Sequence, residues 1–370
     1  MSEAGARRLR EDHGLGSRLS RPPPCLALAT LPTPLERARW LDDGAEVWVK
    51  RDDQSSALYG GGKVRKLEWL LASERFGGSG PIVSVGGIAS NHLVALALFL
   101  QRTGRPLHAL TFEQPLTPHG RMNLAALMSL GARFWHVRRR AALPWAWLGY
   151  QLWAKPVVRG EFMAPGASDG RGGLGFVEAG LELARQIAEG AAPRPGQIYI
   201  TGGSAGAAAG LALGLAIAGV STELRIVAAV ERWGFNGLLL RRMLGQIFAE
   251  LVAHGLGDSL GRGGVAGLLA GAGVTWSIDH TQVGPGYGAP TAAGAEAVRL
   301  AAQHGLHLET TYTGKCLAAL RGDLRGGRAQ GPVIFWNTHA GADLRRWVKP
   351  GWEAALPQRL ARRVEALSLG

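Results

Sequence analysis

Twice in this chain a short run rich in β-branched residues empties into glycines and then into a helical pattern: "PIVSVGGIASNH" at 81–92 and "QIYITGGSAGAAAG" at 197–210. Runs this short and this apolar read as strands buried on both faces, the kind found in parallel sheets. Further strands are expected at 45–51, 106–112, 132–137, 223–231 and 332–336. Helices are expected at 64–76, 91–103, 119–130, 173–189 and 211–219. Strand and helix alternating in this way predict an α/β fold with parallel-rich, twisted sheets flanked by helices.

Length and composition narrow the class. The 370 residues suffice for two domains or one large one. At 46% hydrophobic and 19% charged, the chain can bury a substantial core. Cys25 and Cys316 cannot build a disulfide framework and suit a reducing compartment, so the cytoplasm is expected. The N-terminus mixes Arg with Glu and Asp and lacks the apolar core of a signal peptide. Nothing in the sequence predicts a membrane-spanning helix, a stable membrane anchor or a metal site.

The net charge of +13 invites a nucleic-acid reading. Yet the arginines come as scattered pairs, with a single cluster at Arg138–Arg140, and no zinc spacing or nucleic-acid signature accompanies them. A solvated basic surface that favours small anions is expected instead, with no nucleic-acid partner. One aromatic, cation-flanked stretch, 138–160, breaks the strand–helix rhythm. It reads as a membrane-surface helix, a lid or an oligomer contact.

Three motifs point to chemistry. At 201–210 a strand enters glycine-rich backbone where a helix starts, which makes an anion cup suited to phosphate. A dinucleotide is one ligand to weigh, with Glu231 at the end of the next strand as the ribose acid, but the G-x-G-x-x-G spacing is absent. In "GGGKVRKLEW" at 60–69, Lys63 follows a glycine turn at a helix start, where the helix dipole disfavours its protonated form. Such an amine can attack a carbonyl near neutral pH. A phosphate-bearing aldehyde cofactor would use both features. In "SVGGIASNH", Ser90 and Asn91 read either as a helix cap or as a site for a carboxylate or phenolate.

Together these motifs resemble the 1-aminocyclopropane-1-carboxylate (ACC) deaminase and D-cysteine desulfhydrase family. Its members are pyridoxal-phosphate enzymes of fold type II, the tryptophan-synthase β-like fold. "VKRDDQSSALYGGGKVRKLEWL" carries the likeness, with Ser90 27 residues after Lys63. "APGASDGRGGLGFVEAGLELA", "TGGSAGAAAG", "GPGYGAP" and "TTYTGK" follow in order. The resemblance implies pyridoxal 5'-phosphate bonded to Lys63, with Lys66 and the cup of Gly203, Ser204, Ala205 and Gly206 on its phosphate. It implies Asn91 on the phenolate oxygen, Ser90 near the substrate carboxylate and Cα, Tyr287 and Tyr312 in the active site, and Thr313 near the ring nitrogen.

The resemblance further implies a homodimer and two domains with the cofactor in a cleft. The large cofactor domain is expected at 1–65 plus 166–370 and the small α/β domain at 66–165. Three departures stand out. Gly62 replaces an asparagine, Ala207 a threonine, and "WNTHAGAD" (336–343) is not a clean copy of a glycine pair. Thr313 and Thr338 stand where the ACC deaminases carry glutamate and leucine, which points to β-elimination of a small amino acid. D-cysteine is the first choice and ACC deamination the alternative; a nicotinamide enzyme and a non-catalytic basic binding protein are alternatives of other classes.

Overall fold

The computed structural model describes residues 14–154, 160–257, 263–329 and 331–367. The chain forms two compact units, Met1–Ser73 with Ser168–Gly341, and Glu74–Ala167 with Ala342–Gly370.

The first unit is built on a six-stranded sheet. Its strands are β1 (Leu35–Arg37), β2 (Val47–Lys50), β7 (Gln197–Gly202), β8 (Thr222–Ala228), β9 (Val274–Asp279) and β10 (Val333–Trp336), in the order β1-β2-β10-β7-β8-β9. Only β1 pairs antiparallel; the other pairs are parallel. All but the first residue of β7 and all of β10 are buried, as a sheet covered on both faces requires.

The helices of this unit are α1 (Gly62–Leu71), α5 (Gly170–Ala188), α6 (Gly206–Ile217), α7 (Gly237–Ala253), α8 (Gly264–Ala272), α9 (Ala292–Gln303) and α10 (Thr313–Arg325). Helices α5 and α6 approach so closely that a Cβ on Gly214 would lie 2.1 Å from the Val177 carbonyl oxygen. That contact explains the small residues of "TGGSAGAAAGLALG". Strand β1 is only three residues long, whereas β9, "VTWSID", alternates apolar and polar residues and escaped the sequence reading despite that signal.

Charge is buried beneath this sheet. Arg65 on α1 donates to Asp52 (Nη2–Oδ1 2.7 Å) and Glu182 (Nη1–Oε2 3.0 Å), and Lys50 donates to Glu182 and Gln186. The Trp336 indole donates to Asp52 Oδ2 at 2.8 Å. The four charges cancel, and the donors and acceptors satisfy one another, which is what makes such burial tolerable. Glu68, also buried, accepts from the backbone of Leu28 and Ala29. The polar residues that follow Lys63 thus anchor α1 from within.

The second unit carries a parallel sheet in the order β5-β4-β3-β6, from β3 (Ile82–Gly87), β4 (Leu107–Phe112), β5 (Arg133–Val137) and β6 (Glu161–Phe162). Helices α2 (Asn91–Leu100), α3 (Pro118–Ser129) and α4 (Leu143–Gly149) belong with it. From the sequence, 342–370 is expected in the large domain. In the structure it belongs to this smaller unit: Arg363 pairs with Glu113, Leu116 N–H donates to Leu367 O at 2.7 Å, and Lys349 N–H donates to Ser129 Oγ. The first boundary falls after Ser73 because α1 runs unbroken past residue 65.

The aromatic stretch at 138–160 lies partly outside the described residues, at 155–159. Its helix α4 packs Trp147 on Phe162, with ring centroids 4.7 Å apart, and Tyr150, just past its end, is buried with Val83 and Leu110. Trp145, Leu148 and Leu152 are exposed. No helix among the described residues is long and apolar enough to cross a membrane.

Candidate active site

The turn before Lys63 is tight. Gly61 has φ 76°, and a Cβ there would sit 2.7 Å from the His339 carbonyl oxygen. This positive-φ backbone against the stretch that follows β10 admits glycine alone. The turn is therefore a close packing that fixes where α1 begins. Gly62, where the family has asparagine, has no room for a side chain: a Cβ would meet the Phe176 ring at 2.8 Å and Thr338 Cγ2 at 3.3 Å.

Lys63 is the second residue of α1. It keeps some access to solvent. Among the described residues no hydrogen bond or ion pair is recorded for its Nζ. Burial, rather than the helix dipole expected from sequence, lowers its pKa from 10.5 to about 8. An amine that loses its proton so easily, and that keeps a path to solvent, has the chemistry to attack a carbonyl.

One turn further on, Lys66 is buried, and its Nζ donates to Ser168 Oγ at 2.8 Å. Ser168 Oγ lies 2.8 Å from Ser204 Oγ. Gly206 opens α6 directly against this group: a Cβ there would meet Ser168 Oγ at 2.7 Å and Lys66 Nζ at 3.0 Å. The preceding Ala205 takes φ 62°, a left-handed conformation rare outside glycine. Burial first, and Lys63 second, hold the Lys66 pKa well below its ordinary value, with Asp169 opposing. A phosphate would offset both effects. A helix start, two hydroxyls and an ammonium converging on a glycine make a donor set that fits a phosphate, and the amine of Lys63 fits an aldehyde. Ser168 escaped the sequence reading, although it sits inside the quoted motif "APGASDG".

The two tyrosines of the sequence motifs meet. Tyr312 Oη donates to Tyr287 Oη at 2.8 Å, with ring centroids 6.1 Å apart. Tyr312 also borders the cup, since a Cβ on Gly203 would lie 3.1 Å from its ring. Glu309, missed from sequence, accepts from the N–H groups of Thr311, Tyr312 and Thr313 and so caps α10. A carboxylate just ahead of a helix start was the available signal. Thr313 is buried, and its Oγ1 accepts from Glu309 N–H at 3.1 Å. Glu231, weighed as a ribose acid, instead accepts from Tyr287 N–H at 3.3 Å.

In the second unit, Ser90 is the N-cap of α2, its Oγ accepting from Leu93 N–H at 3.5 Å. Asn91 Oδ1 accepts from Asn123 Nδ2 at 2.6 Å and lies 2.9 Å from His119 Nε2. His119 and Asn123, one turn apart on α3, were not found from sequence. Each takes part through a partner about thirty residues away.

Two α/β units with parallel-rich sheets, a lysine of lowered pKa behind a glycine turn and a donor set at a helix start fit a pyridoxal-phosphate enzyme of fold type II. The chain belongs to the family described as "Pyridoxal-phosphate dependent enzyme", whose profile matches residues 26–338. It is 32% identical over 330 residues to the D-cysteine desulfhydrase of Klebsiella pneumoniae, covering 85% of this chain and 93% of the relative. The D-cysteine desulfhydrase of Salmonella choleraesuis is 31% identical with the same coverage. Among solved structures, an "ACC deaminase homologue" aligns with a TM-score of 0.69 at 23% identity, covering 88% of this chain and 93% of that one. A Solanum lycopersicum threonine deaminase aligns at 0.55 and 16%, covering 85% and 87%. These structures share the fold. The cofactor is pyridoxal 5'-phosphate and the protein is an enzyme.

Proposed function

We propose that the enzyme catalyses β-elimination from a small amino acid, with D-cysteine as substrate and pyruvate, ammonia and sulfide as products. The observation that carries this reading is the 32% identity to a D-cysteine desulfhydrase across 93% of that relative. Thr313 and Thr338 support the same branch. When bound, pyridoxal phosphate supplies an electrophilic carbonyl carbon and a ring that draws electron density from the substrate Cα. Lys63 would hold it covalently and, when displaced by the substrate amine, accept the Cα proton on Nζ. Lys66, Gly203, Ser204, Ala205 and Gly206, with Ser168, would hold the phosphate. Tyr287 and Tyr312 would manage a proton at the departing sulfur. Asn91 is assigned to the cofactor's phenolate oxygen and Ser90 to the substrate carboxylate. The protein is proposed to be a cytoplasmic homodimer acting on a small amino acid.

A screen of D- and L-amino acids for keto-acid release tests the substrate. Strong turnover of ACC to 2-oxobutyrate with no sulfide from either cysteine would overturn the reading. The ring nitrogen gives a second test. A carboxylate near it stabilises its protonated form and deepens the electron sink; a threonine supports it less. Expelling a thiol from Cβ tolerates the weaker sink, whereas opening a cyclopropane does not. Thr313→Glu with Thr338→Leu should therefore lower sulfide release and raise 2-oxobutyrate formation from ACC. A ratio that moves toward sulfide would contradict the branch assignment.

Ser90 carries both a cap and a proposed role. Ser90→Asn keeps an N-cap acceptor but removes the hydroxyl, and Ser90→Ala removes both. Turnover is expected to fall about 10²-fold in each variant with cofactor content unchanged. The alanine variant alone should also lose about 1 kcal/mol of stability. Full turnover in Ser90→Asn would reduce Ser90 to a cap.

A further inference from the structure

Two charged residues near the tyrosines have no part in the chemistry above: Glu231, just beyond β8, and Lys315, which ends the motif "TTYTGK". Lys315 is fully buried, yet its Nζ donates to a backbone carbonyl, that of Val283, at 2.8 Å. Val283 lies in the loop after β9 that carries Tyr287. Glu231 Oε1 accepts from Tyr287 N–H at 3.3 Å in the same loop. The loop is thus tied at two points four residues apart, once from the end of β8 and once from the first turn of α10. Glu309 ties the other tyrosine, accepting from Thr311 N–H at 2.6 Å and from Tyr312 N–H at 2.8 Å. Between the tied segments the two hydroxyls meet at 2.8 Å.

We infer that Lys315, with Glu231 and Glu309, is a positioning group that locks the Tyr287 loop to the Tyr312 turn and so sets where the paired hydroxyls stand. This rests on the reading of Tyr287 and Tyr312 as active-site groups. The charge arrangement explains why a lysine stands here. Each carboxylate is needed as an acceptor for backbone N–H groups, and each is a negative charge that a nearby cation offsets. Burial disfavours the Lys315 ammonium, while Glu309 and Glu231 favour it. The ammonium balances the carboxylates and satisfies the Val283 carbonyl in one step. A neutral side chain would leave that carbonyl without its donor and both carboxylates without the neighbouring cation.

The link between the two segments is the testable property. In the holoenzyme, Lys315→Met should raise amide hydrogen exchange about tenfold in peptides covering both 281–290 and 309–314. Glu231→Ala should loosen the first segment and, through Lys315, the second. Both variants should keep full cofactor content and a KM within about threefold of the parent, while kcat falls about 10- to 100-fold, the cost of a misplaced reacting group. Glu231→Gln, which retains the acceptor for Tyr287 N–H, should recover most of that loss. If Lys315→Met does not fold, the Glu231 pair carries the test. Exchange rising only in the mutated residue's own segment, or kcat unchanged while both segments loosen, would overturn the inference. The site reading fails separately: Tyr287→Phe and Tyr312→Phe with undiminished turnover would remove it whatever the exchange data show.

Discussion

Lys63→Ala is expected to leave a folded protein that binds pyridoxal phosphate without a covalent bond and turns over at least about 10³-fold more slowly. The expectation rests on an amine for which no partner is recorded among the described residues and whose pKa burial has brought down to about 8. Borohydride reduction of the parent followed by peptide mapping should place the label on Lys63. A label on Lys66, the neighbouring buried lysine, would overturn the assignment. The pH dependence follows from the same group. Only the neutral amine attacks a carbonyl, so covalent reconstitution of the apoprotein should accelerate as pH rises through about 8 and level off above it. An ordinary lysine would keep gaining to beyond pH 10. Because the folded state holds this pKa below the unfolded one, Lys63 lowers stability where the unfolded lysine is charged, most fully below about pH 8. That burden lifts as pH rises to the unfolded value.

The largest loss of stability is expected at Glu182, far from any reacting atom. Glu182→Ala leaves the Lys50 ammonium and part of the Arg65 guanidinium buried without their shared acceptor. Breaking a buried pair from one side costs about 3–5 kcal/mol, a large share of a domain's total. Glu182→Gln should cost less, since one acceptor oxygen remains. Urea unfolding at neutral pH, compared with a conservative change at an exposed residue, gives the number. A loss under about 1 kcal/mol would show that the cluster is not needed for stability. Acid should reproduce the effect. Burial pushes the Glu182 carboxyl up, but Arg65 and Lys50 outweigh it and hold the group well below the usual carboxylate range. Its contribution is therefore complete above the unfolded pKa of about 4.3 and is lost as pH falls below that toward the folded value.

Features written locally in the chain were legible. The strand–glycine–helix order predicted β3, β7 and the helices that follow them, because a buried parallel strand and a tight turn each leave a mark within a few residues. Lys63 and the turn at 201–210 could be singled out by the same kind of local mark. Why three glycines precede Lys63 is not legible from the residues around them. Gly61 and Gly62 are required by the carbonyl of His339 and the ring of Phe176, which lie more than a hundred residues away in the chain.

The sequence by itself determined the alternation of elements, the turn chemistry and the motif order that identifies the family, because each rests on backbone preferences and on residues close together in the chain. Only the tertiary structure decided which charges are partners and which segments belong together. Lys66 reaches Ser168, Lys50 and Arg65 share Glu182, Glu231 and Lys315 hold one loop, and the C-terminal residues Arg363 and Leu367 join Glu113 and Leu116 in the smaller unit. These pairings join residues far apart in the chain. Their strength comes from exclusion of water, and a side chain is withdrawn from water only when the whole unit has closed around it.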